Sequence, residues 1–267
     1  MVSAKTLLLA GLVAVASAAP AARASCGSTQ TATPTLPVTG AATELPAPPA
    51  NLTLKKIAVG HGIQNYSCPT ADSSAPTQLG ALAVLYDVTS LYPGTPKTGI
   101  NETAWTALST TILWSQPLPL NLVNEKAASP GTPSQPNVLP EASYGADTSD
   151  PFPRGTDLQL SPSMTLKFLG HHFFDISGTP TFDLSAASLK GSVVKTGAAN
   201  APAGADKGIL NTGAVAWLQL SDSGKGLSSG ISMVYRVITA GGAAQACSTS
   251  GAGQGSVPYT AFYWFYD

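Results

Sequence analysis

The chain is short of charge. Asp, Glu, Lys and Arg make up 10% of its 267 residues, against roughly a quarter in an ordinary soluble domain. Its three arginines, Arg23, Arg154 and Arg236, stand far apart, and the formal net charge is −1. No basic stripe exists for a nucleic-acid backbone, so nucleic acid is not an expected partner. The surface must instead be Ser, Thr, Asn, Gln and Gly, which suits an exported protein.

Long apolar runs are missing as well. None reaches the ~18 residues of a membrane helix, so no transmembrane segment is expected. The apolar stretch from Thr6 to Val15 follows Lys5 and ends in "ASA" at 16–18, the pattern of a cleaved export signal. The terminal "AFYWFYD" lacks the spacer and long tail of a lipid-anchor signal. The expectation is a secreted protein, extracellular or held in the cell wall. Its signal peptide would be residues 1–18, its Pro/Ala/Thr-rich tail or strap 19–50, and its single β domain 51–267.

Cysteine is scarce: Cys26, Cys68 and Cys247, with no Cys-x-x-Cys spacing of a structural zinc site. In an oxidising compartment three cysteines allow one disulfide by any of three pairings. The sequence also carries sequons at Asn51, Asn65 and Asn101, candidate glycosylation sites of an exported chain.

What is abundant is strand. "KKIAVGHGIQNYSC", "GALAVLYDV", "MTLKFLGHHFFDI", "SLKGSVVK", "VAWLQL", "ISMVYRVITA" and "PYTAFYWFYD" are short, rich in Val, Ile, Tyr, Phe and Thr, and separated by Gly, Pro and Ser clusters. "VAWLQL" and "ISMVYRVI" flank a polar tip and read as a hairpin. Residues 127–140 and 197–208 read as surface loops. One segment reads as helix: "NETAWTALSTTILW" spaces Trp105, Leu108 and Ile112 along one face, with Asn101 as its cap. Strands and helices do not alternate, which favours an all-β antiparallel sandwich or barrel with one short helix and long Pro/Gly-rich loops.

Two motifs resemble catalytic signatures and lack their context. "GLSSG" places Ser228 in a G-x-S-x-G pattern, yet a strand follows it and every histidine precedes it. "GAGQGS" has the wrong glycine spacing for a dinucleotide fingerprint and opens a strand near the chain's end. NAD is therefore not an expected cofactor.

The histidines are His61, His171 and His172. Alternation along a strand sends neighbours to opposite faces. His172 then shares a face with Leu166, Phe168, Phe174 and Ile176, and His171 with Lys167, Leu169, Phe173 and Asp175. His61 sides with Ile57, Val59 and Ile63, unless Gly60 and Gly62 mark a bulge. An interior site would join His61 and His172 near Gln64 and Tyr66 as ligand-binding candidates. An exterior one would pair His171 with Asp175. Either offers metal ligands if two histidines and a carboxylate converge. The plainer reading is that each imidazole is hydrogen-bonded within the core. The terminal strand, aromatic on both faces, reads as central and buried. The alternative is an exposed row that stacks on sugar rings.

"VGHGIQNYSC", "LGHHFF", "VAWLQL", "VYRVITAGG" followed by Cys247, and "VPYTAFYWFYD" together resemble a secreted family of unknown function, common in filamentous fungi, whose members often carry the label "malate dehydrogenase". The resemblance runs from about residue 55 onward and implies a Cys68–Cys247 disulfide, leaving Cys26 in the tail. It implies no reaction. No βαβ unit supports the dehydrogenase label. The reading that follows is a non-catalytic binding or surface protein, with cell-wall polysaccharide or a host surface component as partner. The rivals are a metal- or small-molecule-dependent extracellular enzyme using His61 and His172, or His171 with Asp175, and a structural wall or spore component.

Overall fold

The computed structural model describes residues 33–123 and 144–267. The proposed signal peptide, Cys26 and the 127–140 loop lie outside the described residues. The strands are β1 (Leu54–Cys68), β2 (Thr77–Asp87), β3 (Leu158–Ser161), β4 (Met164–Phe174), β5 (Pro180–Leu184), β6 (Leu189–Ala199), β7 (Trp217–Asp222), β8 (Met233–Gly241) and β9 (Gly253–Tyr266). They hydrogen-bond in the order β2-β1-β9-β8-β7-β6-β5-β4-β3, and β2 also pairs with β4. That extra pairing closes the sheet into a barrel, with β3 left outside the ring as a short flap on β4. Every pairing is antiparallel, so the strands of the ring run up and down in chain order. Closure leaves the ring no unpaired edge.

The wall buries both of its faces. One cluster draws on every strand of the ring, among them Ala58, Ala83, Leu169, Phe182, Val193, Leu220, Val234 and Tyr263; this is the lumen, filled by side chains. The other, with Ile57, Val59, Val84, Tyr235, Phe262 and Trp264, is the outer face of one side. The expected helix, α1 (Glu102–Ser115), covers it with Trp105, Leu108 and Ile112. The Trp105 and Phe262 rings meet at 4.7 Å. Asn101 caps α1 as the sequence predicts, its side chain accepting from the Ala104 N–H at 2.8 Å. Residues from 33 onward strap the same face, and the Tyr235 hydroxyl donates to the Pro46 carbonyl at 2.9 Å. A strand packed on both sides must be apolar in both parities. That is why β9 reads as continuous aromatics, and it is buried from Ser256 to Tyr266.

Cys68 and Cys247 form a disulfide. It ties the end of β1 to α2 (Cys247–Ser250), one short turn before β9.

His61 keeps the expected parity with Ile57, Val59 and Ile63, and Gly60 and Gly62 mark no bulge. The register with β2 runs unbroken through His61 and shifts only at Asn65/Tyr66. Gly60 faces the lumen, where a Cβ would fall 2.7 Å from the Tyr263 ring; at Gly62 a Cβ would collide with the β2 backbone at Leu82. The break in alternation lies instead in β4. Gly170 pairs with Leu85 and Phe168 with Tyr86, so Leu169 is a bulged extra residue. Leu169 turns to the lumen while Leu166 stays outside. The expected face-sharing is therefore corrected: past the bulge His172 goes in with Leu169, and His171 goes out, its ring 5.2 Å from that of Phe168. Ile176, assigned to the core face by simple alternation, is fully exposed beyond the end of β4.

Candidate functional site

His61 is wholly buried on the outer face. Its Nδ1 lies 3.1 Å from Thr260 Oγ1, and its Nε2 lies 3.3 Å from the Gln116 carbonyl just past α1. Burial pushes its pKa down to about 4, against the opposing pull of the Tyr259, Gln116 and Pro117 backbone. His172 faces the lumen. Its ring stacks on Phe182 at 4.1 Å, and its Nδ1 lies 2.9 Å from the Thr181 carbonyl. Burial, aided by the charge of Arg236, also brings this pKa to about 4. The two imidazoles are on opposite faces of the wall and do not meet.

His171 shares the outer face with His61, but Val84 of β2 stands in register between them. The His171 ring stacks under Phe152 at 4.2 Å, and its Nε2 is buried without a hydrogen-bond partner. Its pKa is lowered by burial, with Asp183 opposing. Asp175 is not its partner: Asp175 Oδ1 accepts from the Ser177 and Thr179 N–H groups, each at 2.8 Å, in the turn after β4. Among the described residues no three of His, Cys, Asp and Glu gather as a metal would require. Ser228 binds Asp222 and the Ser192 backbone in the β7–β8 tip, with no histidine in the set.

The remaining candidates cluster at one end of the barrel, where β1 and β4 finish and β2, β5 and β9 begin. Gln64 lies on the lumen side there. Its Oε1 accepts from Gln78 Nε2, while its own Nε2 is buried without a partner. Tyr66 donates to the Gly242 carbonyl at 2.7 Å. Beside it a groove of about 550 Å³ runs along the rim. Phe152, Phe173 and Phe174 form its apolar side, and Asn65, Asp147 and Gln254 its polar side. Asn65 Oδ1 accepts from Ser256 Oγ, which leaves the Asn65 amide as a donor. Asp147 Oδ1 is used within its own turn by Ser149 and Asp150, leaving Oδ2. Phe174 also lines a much smaller cavity, about 40 Å³, on the lumen side, with His172, Gln64, Gln78, Tyr263 and Arg236.

Sequence reasoning missed Phe152, which sits in a Pro-flanked loop with no period to mark it. It also missed Arg236, whose signal was legible: a lone charge inside the apolar strand "SMVYRVITA", in parity with Val234.

A family profile built from proteins of unknown function matches residues 48–267. No curated protein and no solved structure matches the chain.

Proposed function

The chain belongs to the DUF3455 family, and from the geometry of its barrel we propose that it is a secreted, non-catalytic binding protein whose rim groove takes a segment of cell-wall polysaccharide. The observation that carries this reading is the groove itself. Its volume of about 550 Å³ falls within the ~300–1,000 Å³ of small-ligand sites. Phenyl faces opposite amide and carboxylate groups suit a sugar ring, whose C–H patches stack on aromatics while its hydroxyls bond at the edge. The histidines support binding over catalysis. His61 and His172 are buried and held neutral, and His171 lies beneath Phe152. The buried disulfide and the low charge fit an oxidising, extracellular setting. Among the described residues no helix is long and apolar enough to cross a membrane.

The test is a glycan array followed by co-sedimentation with insoluble wall polysaccharide. Saturable retention is expected, weakened roughly two- to tenfold by Phe152→Ala or Phe173→Ala, since one aromatic stacking contact is worth ~0.5–1.5 kcal/mol. An array without a bound glycan, or retention unchanged in both variants, would overturn the reading.

A further inference from the structure

Arg236 is 6% exposed and faces the lumen beside Tyr263, its register partner on β9. Its Nε and Nη2 donate to one acceptor, the Ala216 carbonyl, at 3.1 and 2.9 Å. The ion pairs of the described residues are Lys56–Asp87 and Lys167–Asp157, and neither includes Arg236. A guanidinium cannot shed its proton inside a protein, so the barrel encloses a positive charge with no carboxylate beside it. Such a charge costs stability unless something neutralises it.

Around Arg236 the Tyr263 hydroxyl accepts from the guanidinium, but this neutral phenol does not cancel its charge. Gln64 is fully buried, and its Nε2 has no partner. Gln78 Nε2 donates to Gln64 Oε1, which turns the Nε2 end of Gln64 toward the Tyr259 hydroxyl, where it completes no hydrogen bond. Tyr263 and Tyr259 share a hydroxyl–hydroxyl bond of 2.8 Å. His172 binds the Thr181 carbonyl through Nδ1, which must therefore carry the hydrogen. Its Nε2 makes no bond of its own. The cavity these residues enclose is about 40 Å³, room for ~three water-sized groups at 10–15 Å³ each. It lies toward the strand ends, where Gln78 is exposed.

We propose that this cavity is a binding site for a small monocarboxylate of acetate or formate size, held by the Arg236 guanidinium, in exchange for its contact with the Tyr263 hydroxyl, and by Gln64 Nε2. A planar carboxylate matches the two parallel N–H groups of an arginine edge, and a fatty acid or sugar acid is too large. The site is separate from the rim groove and stands or falls without it.

The charges facing His172 are few: Arg236 from β8 and the un-ionised phenols of Tyr259 and Tyr263 from β9, with uncharged Thr181 and Phe182 on β5 and Ala83 on β2. A bound anion would offset Arg236 and favour protonation at Nε2. Binding is therefore coupled to proton uptake and tightens as pH falls.

The test is thermal denaturation and calorimetric titration of the whole secreted protein with sodium formate and sodium acetate at pH 5.5 and 7.5, against sodium chloride at equal ionic strength. The melting temperature should rise with the logarithm of carboxylate concentration and not with chloride. Formate affinity should be several-fold tighter at pH 5.5. Arg236→Gln should abolish the response. Gln64→Leu, which removes an unpartnered donor and should fold, should weaken binding about tenfold. Equal responses to carboxylate and chloride, or a response kept in R236Q, would overturn the site. If R236Q does not fold, unchanged formate affinity in Q64L overturns it instead.

Discussion

His61 and His172 occupy opposite faces of one barrel wall, His61 under the end of α1 and His172 stacked on Phe182 in the lumen. They share no hydrogen-bond partner. Residues without shared contacts contribute additively, within ~0.5 kcal/mol. The double variant H61Q/H172Q is therefore expected to lose the sum of the two single losses in urea denaturation. A coupling energy well above that figure would mean the two imidazoles act as a unit.

Both rings also set an acid limit. Each has an ordinary pKa near 6.5 when unfolded and about 4 when folded. Between those values the unfolded chain binds protons that the folded chain does not, so stability is full above about 6.5 and falls as pH drops toward 4. Each fully buried histidine contributes a loss of roughly 3 kcal/mol across that window. Denaturation midpoints measured from pH 7.5 to 4 should show the decline, and H172Q should flatten about half of it. A bound carboxylate would also shallow the slope, because it raises the folded-state pKa of His172.

The β-rich class, α1 with its Asn101 cap, and the double-sided burial of β9 were legible in the sequence, because each rests on local pattern: capping chemistry, helical spacing, continuous aromatics. The closed ring was not, since β2–β4 pairing is a contact that no local pattern encodes. The inward turn of His172 and the outward turn of His171 were legible, but the upstream residues that share their faces were not, for one reason, the bulge at Leu169, which a glycine at 170 hints at and Gly60 and Gly62 falsely suggest elsewhere. Gln64 was legible as a candidate because it is polar in an apolar strand. Arg236 carried the same signal, but the absence of a carboxylate partner appears only in three dimensions.

Gly60 and Gly62 serve close packing, and they should differ in tolerance. A methyl at Gly60 meets the Tyr263 ring, which can tilt; a methyl at Gly62 meets the backbone of Leu82, which cannot. Gly60→Ala is expected to cost ~1–3 kcal/mol, typical of core overpacking, and Gly62→Ala clearly more, as read from urea midpoints. Equal tolerance of the two would contradict the close approach of β1 and β2.

The Cys68–Cys247 bridge spans a sequence separation of 179. On the chain-entropy account, cross-linking so long a loop stabilises by about 4–5 kcal/mol. Reducing the protein, or Cys68→Ser with Cys247→Ser, should lower the denaturation midpoint accordingly. Non-reducing peptide mapping should recover the 68–247 pair. Finding Cys26 joined to either partner would refute it.

The sequons separate by the free nitrogen of each asparagine. Asn101 caps α1 through Oδ1, so its Nδ2 is available and a glycan there leaves the cap intact; Asn101→Ala should cost ~1 kcal/mol. Asn51 is exposed in the turn before β1. Asn65 is different: it sits within β1, paired to Gly80 and Ser256, on the polar side of the rim groove. A glycan at Asn65 would fill the groove with the protein's own sugar. The expected outcome by intact-mass and peptide analysis of secreted material is occupancy at Asn51 and Asn101 and none at Asn65. Full occupancy at Asn65 would remove the groove as a site for external polysaccharide, whereas an unoccupied Asn65 leaves its amide free to donate to a ligand hydroxyl. Asn65→Asp should then weaken polysaccharide retention while leaving the formate response of the lumen unchanged, since Gln64, one residue earlier in the strand, faces the other side of the wall.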